Sequence, residues 1–458
     1  MEAAAGPGGR MALRNEITEG NLWKALLSIA LPVMVANLLQ AVVEVVDLYF
    51  VGRLGPEAIA GVALSTTIIF FLVTVLIGIA TATAAFISRA YGAGDHREIG
   101  TLLLHALLLG LAFSLFLMVI GAFFAPAILG LMGATGAVAE AGAAFLSTFL
   151  MGIGSLVMLW LLIVAFQSTG DARTPMYVMV VVILVNILAN PVLIFGLFGA
   201  PAFGVAGSAL ATVLARTLGL GILAAIVLRR KSVITLPESL RPDFALFTRI
   251  VTVAVPSALQ NGMRSFSYLA IMAIITGFGA APISAYGIIY RVEYIALMPG
   301  FAFATATAVL VGQNLGARRP ERAEQAVRYS LLGYGGVMVA VSAACILAAP
   351  AILGFFDPSG TSTPVGQAYF AIVAPLYVLN AVALILSFAM NGAGATRIPM
   401  LATFLALIVT QLPLAIILSS WAGLGLAGVF YAVDIAIIAQ VAILAILYRR
   451  GTWKAVRL

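Results

Sequence analysis

The alternation of apolar and polar positions divides the chain into twelve apolar runs, each close to the roughly 20 residues that carry a helix across a bilayer core. They lie near 26–50, 58–85, 100–124, 140–166, 176–197, 205–228, 250–276, 283–311, 329–350, 366–390, 399–420 and 425–447. The first run breaks its own pattern in NLLQAVVEVVDLYFVG, residues 37–52, where Asn37, Gln40, Glu44 and Asp47 follow at intervals of 3, 4 and 3. Such steps return to one face of a helix and keep the four groups within about 80° of arc. A charged carboxylate turned to lipid at mid-bilayer costs about 2.5–3.5 kcal/mol on insertion scales, so this stripe is expected to face a cavity or other helices. Helix–helix glue is the plainer reading; it weighs least for Glu44 and Asp47, because ionisable groups inside a span are functional candidates by default. Two carboxylates one turn apart can exchange a proton near neutral pH.

Composition agrees with a membrane chain: 63% of the 458 residues are apolar and 9% charged, with a mean hydropathy of +1.14, against about 25% charged in a soluble domain. With both ends placed inside, all but four of the 24 Lys and Arg fall in cytoplasmic segments, as the positive-inside rule requires. The four are Arg53, in an external loop, and Arg216, Arg264 and Arg291, inside spans. The net charge of +7 therefore belongs to topology and to anionic headgroups; it gives no reason to expect nucleic acid. Residues 1–20 show no apolar core of a cleavable signal, and Met11 is an alternative start. The single Cys345 excludes an internal disulfide and any multi-cysteine metal site.

Slid against itself, the chain matches at an offset of 224 residues: TATAA at 81–85 with TATAV at 305–309, APAILG at 125–130 and again at 349–354, QSTGDARTPM at 167–176 with NGAGATRIPM at 391–400. Near the end the register slips to 221, GVAG at 204–207 meeting GLAG at 425–428. Six spans per half put both halves in the membrane the same way round, related by an axis along its normal. The expected fold is all-α and polytopic: a cytoplasmic lead-in over 1–25, a six-helix bundle over 26–228, a cytoplasmic linker over 229–249, a second bundle over 250–447 and a cytoplasmic tail over 448–458. A substrate site is expected between the halves near mid-membrane.

The second half places Gln260, Arg264 and Ser267 on one helix face but has Ile271 at the position of Asp47, so charge is concentrated in the first half. In YRVEY, residues 290–294, Arg291 lies deep in the eighth span with Glu293 on the opposite face. Arg264 or Arg291 is expected to pair with Glu293, Asp434 or the stripe; structural roles are equally open for Glu293, Asp434 and Arg216. Met34, Met151, Met158, Met263 and Met298 either pack or line an adaptable cavity. GLGLAG at 423–428 fits G-x-G-x-x-G without a preceding strand, and neither a Walker A motif nor HExxH accompanies His96 and His105, so enzyme readings fail. A pore would need a ring of charges or carbonyls, which the sequence does not show.

LPVMVANLLQAVVEVVDLYFVGRLGPEAIAGV, residues 31–62, resembles the first helix and loop of multidrug and toxic compound extrusion (MATE) transporters, and VNILANPVLIFG and GVAGSALAT fit the same family. The resemblance covers nearly the whole chain and is nearest to the archaeal and DinF-like branch of this multidrug/oligosaccharidyl-lipid/polysaccharide (MOP) superfamily. It implies antiport in which cation entry at a first-helix aspartate, here Asp47, drives export, with Asn186 and Ser208 as polar neighbours on the fifth and sixth helices. Arg291 falls on a basic residue that the branch also has. The branch's second aspartate is here Asn190; Glu44 is expected to replace it, and protonation of Asp47 to bend the first helix near Pro32. Asn37, Gln40, Gln260, Arg264, Tyr290 and Arg291 are expected to line the substrate cavity. The proton is favoured as coupling ion, with sodium on Asp47, Asn186 and Asn190 as the alternative; no cofactor is expected. The implied cargo is amphipathic organic cations or other xenobiotics, carried by a monomer in the plasma membrane with both termini cytoplasmic. A lipid-linked sugar flippase of the same superfamily is the alternative function.

Overall fold

The computed structural model describes residues 17–234, 237, 241–456 and 458; Met11, most of the expected lead-in and part of the linker lie outside them. Sixteen helices, eight per half, carry the described fold. The first eight are α1 (Leu22–Gly52), α2 (Pro56–Ala93), α3 (His96–Phe123), α4 (Ala125–Leu131), α5 (Gly136–Met151), α6 (Ile153–Ser168), α7 (Arg173–Phe195) and α8 (Val205–Leu228). The second half repeats them as α9 (Phe244–Thr276), α10 (Ala280–Gly316), α11 (Pro320–Leu347), α12 (Ala349–Phe356), α13 (Thr363–Val373), α14 (Tyr377–Gly392), α15 (Arg397–Trp421) and α16 (Gly425–Arg449). Both APAILG copies form the short helices α4 and α12.

Backbone detail follows the duplication. Gly55 (φ 118°) and Gly279 (φ 101°) precede α2 and α10, and Gly94 (φ 82°) after α2 answers Arg318 (φ 59°) after α10. Arg318 keeps the left-handed turn that glycine adopts freely, at the steric cost of its Cβ. Helix starts are set by short polar caps: Asn21 accepts from the amides of Trp23 and Lys24 at 2.9 and 3.1 Å, Asp95 from Glu98, and Asp243 from Ala245 at 2.8 Å. These bonds satisfy amides that a helix N-terminus leaves open. Asn21 starts α1 within the expected lead-in, and Asp243 starts α9 within the expected linker.

Among the described residues ten helical segments are long and apolar enough to cross a membrane, and α5 with α6 passes as a pair bent by 50°. The run expected as one span over 140–166 is thus broken at Gly152, where a Cβ would collide with Val213 of α8; close backbone approach and the helix weakness of glycine coincide there. The 33-residue α9 carries Gln260, Asn261, Arg264 and Ser267, which keep it below the apolar threshold, yet it is the repeat of α1 and completes twelve spans. In α15, Pro413 lies between widened turns over 404–411 and 417–421. Ridges of exposed apolar side chains, among them Phe123 (75%), Leu347 (83%), Phe355 (81%) and Trp421 (81%), suit a lipid surface and not water. Many hydroxyls inside the spans bond back to their own helix, as Thr81 does to the Ile77 carbonyl and Ser114 to that of Gly110, and so remain satisfied without water.

The two lobes meet at the end that carries the described chain ends. A Cβ on Gly78 of α2 would lie 2.5 Å from the Ala254 carbonyl of α9, and one on Gly312 of α10 would lie 2.6 Å from Ser88 Cβ. Added carbons on Gly92 and Gly316 would strike backbone at Gln313 and Arg89. Gln313 Nε2 donates to the Ser168 carbonyl at 2.7 Å, Arg89 to the Val456 carbonyl, and Arg319 to the Thr18 carbonyl and Glu19 at 2.8 Å each. These glycine-mediated crossings and straps close one face of the molecule.

Candidate coupling and substrate site

The first-lobe site grows from the packing of α1 between α7 and α8 on one side and α10 on the other. Asp47 sits half-buried near the C-terminal end of α1. Its Oδ1 accepts from Asn190 Nδ2 of α7 at 2.7 Å and its Oδ2 from Thr212 Oγ1 of α8 at 3.3 Å. Asn186, one turn before Asn190 on the same face of α7, donates from Nδ2 to Thr212 Oγ1 at 3.1 Å, and its own Oδ1 accepts from Asn190 Nδ2 at 3.1 Å. Asp47, Asn186, Asn190 and Thr212 thereby form one closed polar ring. Asn190 is fully buried, and its Oδ1 has no partner.

Ser208 lies fully buried one turn before Thr212, with its Oγ unpartnered, and is not bonded to Asp47. The sixth-helix hydroxyl that reaches the carboxylate is Thr212, which the sequence reading missed. The (i, i+4) spacing from Ser208 already put it on the same helix face.

Glu44, one turn deeper than Asp47, is exposed, and its charge acts on Tyr294 of α10 across the lobe boundary. Asn37 and Gln40 are half-buried on α1. The pairing expected for Arg264 or Arg291 is corrected: neither forms an ion pair among the described residues. The cation whose field reaches both Glu44 and Asp47 is Arg216 of α8, one turn deeper than Thr212 and set over the Phe149 ring of α5 at 5.6 Å. In the second lobe the repeat puts Ile271, Val433 and Ile437 where the first has Asp47, Thr212 and Arg216.

The second lobe has its own half-buried carboxylate. Glu293 accepts from Tyr369 at 2.7 Å and Tyr377 at 2.9 Å, so tyrosines of α13 and α14, and not an arginine, are its partners. Beside it Tyr268, Tyr286, Tyr290 and Tyr294 form an aromatic ladder along α9 and α10: Tyr268 to Tyr290 at 4.0 Å, Tyr268 to Tyr286 at 5.7 Å and Tyr290 to Tyr294 at 6.4 Å. Arg291 is exposed and Arg264 half-buried. Gln260, expected to line the cavity, is 3% exposed and accepts from Asn391 at 3.4 Å; it faces neighbouring helices. Among the described residues no cluster of three His, Cys, Asp or Glu side chains could hold a metal ion.

Two six-span lobes, the first holding a polar ring at one carboxylate, define a polytopic membrane carrier. The MatE family model matches the chain twice, over residues 32–192 and 256–417, once per repeat, and the chain belongs to that family of transporters; it is not an enzyme. It is 28% identical over 422 residues to a probable multidrug resistance protein YoeA of Bacillus subtilis, covering 90% of each chain. To a probable multidrug resistance protein NorM of Thermotoga maritima it is 26% identical over 431 residues, covering 94% of this chain and 93% of that one. A solved MOP superfamily transporter from Pyrococcus furiosus superposes with a TM-score of 0.86 at 23% identity, over 96% of this chain and 98% of the other.

Proposed function

We propose that the protein exports amphipathic organic compounds, chiefly cations, by antiport against a cation that enters at Asp47, the lobes alternating access to the two membrane faces. The single observation that carries this reading is the bonded ring of Asp47, Asn186, Asn190 and Thr212 within one lobe. An ionisable group inside a span, held by groups from three helices, links ion occupancy to helix position. The names of the curated relatives support multidrug compounds as cargo. The tyrosine ladder supports cationic cargo, since aromatic faces attract organic cations; Asn37, Gln40, Arg264, Tyr290 and Arg291 would complete the substrate wall.

The coupling ion in this reading is the proton. Glu44 serves as the second acid, because the amide of Asn190 exchanges no proton. The bundles are 26–228 and 250–447, with the lead-in, linker and tail on the cytoplasmic side of the plasma membrane and a monomer as the working unit. The charge distribution supports that orientation, and the closed lobe contacts then lie on the cytoplasmic face, giving a carrier open to the outside.

The test is efflux of ethidium from proteoliposomes under an imposed pH gradient. Wild-type protein is expected to respond to the gradient, and Asp47→Asn to lose at least about tenfold of the gradient-driven rate, the scale set by loss of a hydrogen-bonded charge. Full coupling in Asp47→Asn would reject the proposal.

A further inference from the structure

The oxygen atoms around Asp47 form a set that a hard monovalent cation could use. Besides the carboxylate there are the buried, unpartnered Oδ1 of Asn190 and the Thr212 hydroxyl. Oxygen donors of this kind suit hard cations, so donor chemistry alone would admit sodium. What opposes it is Arg216. Its Nη1 is buried with no hydrogen-bond partner, it forms no ion pair among the described residues, and the charged groups acting on it are Asp47 and Glu44. On the neighbouring elements, α7 brings the amides of Asn186 and Asn190 to Thr212 and Asp47, and α5 brings the Phe149 ring to the guanidinium.

We propose that Arg216 is the ion-selectivity residue of the first-lobe site, its fixed positive charge excluding sodium from the Asp47, Asn190 and Thr212 cluster. The inference rests on Asp47 being the coupling group. The helical register places it: Arg216 is one turn deeper than Thr212 on α8, as Glu44 is one turn deeper than Asp47 on α1. Glu44 is exposed and screened by water, so with Asn190 neutral Asp47 and Arg216 balance within the cluster, and a bound metal cation leaves it with an excess positive charge.

The guanidinium repels a proton and a sodium ion alike. A carboxylate, however, holds a proton covalently and a monovalent metal only weakly, so an equal penalty pushes sodium alone out of its working range. For one charge a turn or two away in protein surroundings, that penalty is on the order of 10- to 100-fold in affinity.

The experiment compares sodium chloride with choline chloride at equal ionic strength, reading both ethidium efflux from proteoliposomes and the melting temperature of purified protein. Wild type is expected to be indifferent to sodium in both; a sodium-driven wild type overturns the proposal. Arg216→Gln is expected to gain sodium-dependent stabilisation with at least about tenfold tighter apparent binding, whereas Arg216→Lys, which keeps the charge, stays indifferent. A folded Arg216→Gln that ignores sodium in both readouts overturns the assignment. Should Arg216→Gln not fold, Asn190→Asp shifts the same charge balance from α7: a sodium response supports the proposal and indifference overturns it. Asp47→Asn separates the two levels. If it keeps gradient-driven efflux, the coupling reading itself falls; if it loses it while folded Arg216→Gln stays indifferent, only the role of Arg216 falls.

Discussion

At the scale of single residues, buried polar atoms report their importance through what is left when one partner is removed. Thr212 donates to Asp47 and accepts from Asn186, so Thr212→Val opens the ring at two bonds while keeping its shape. A hydrogen bond to a charged group is worth about 1.5–3 kcal/mol, and gradient-driven efflux by Thr212→Val is expected to fall roughly tenfold; transport at the wild-type rate would make this hydroxyl incidental. In the second lobe Tyr377→Phe strips one of two donors from half-buried Glu293 and is expected to destabilise the protein by about 1–3 kcal/mol, read as a lower melting temperature in detergent. Paired with Tyr369→Phe, the loss should depart from additivity, because both hydroxyls serve one carboxylate oxygen. Asp47 and Asn190 could be singled out from sequence because helical spacing and the NILANP motif mark them locally. Arg216 was visible only as a base inside a span and Thr212 only as a neighbour of Ser208 on its helix face, since what gives them a role is the register of α8 against α1, a relation between helices that neither helix states alone. Glu293 was visible as an acid inside a span, but its tyrosines come from two helices more than 70 residues away.

Among the elements, α1 holds both the polar stripe and Pro32, and it runs unbroken from Leu22 to Gly52. Proline removes one backbone hydrogen bond and leaves a point where bending costs little. If protonation of Asp47 loosens its hold on α7 and α8, the C-terminal half of α1 is free to bend about that point. Spin labels at Val45 on α1 and Leu214 on α8, in a Cys345→Ala background, are expected to change separation between neutral and acid pH, and to change little in Asp47→Asn. Equal distances at both pH values in the wild-type site would exclude the hinge. Most elements were legible because apolar run length nearly equals membrane thickness and basic loops separate the runs. Two irregularities were not. The 50° bend at Gly152 depends on the approach of Val213 from another helix, and the widened turns of α15 depend on Pro413 together with its packing on α16; an apolar run looks the same whether straight or bent.

For the whole molecule, duplication supplies a ruler. Arg173 and Arg397 occupy equivalent exposed positions at the starts of α7 and α15, on the closed face, and Leu131 and Phe355 occupy equivalent exposed positions at the opposite end. The lobe contacts at the closed face pass through Gly78, Gly92, Gly312 and Gly316, where a single added carbon meets the other lobe. In the proposed alternating-access cycle such close crossings hold only while the face is shut, as a two-position latch and not a deformable seam. Gly92→Leu should therefore favour the state in which this face is open. Labels on the Arg173→Cys/Arg397→Cys pair are expected to report a longer separation in Gly92→Leu than in its parent, while the Leu131→Cys/Phe355→Cys pair reports a shorter one. Opposite changes at the two ends follow from lobes that rock as rigid bodies about the site between them. If both pairs lengthen together, the substitution has only pried the lobes apart, and the glycine crossings are packing without a gating role.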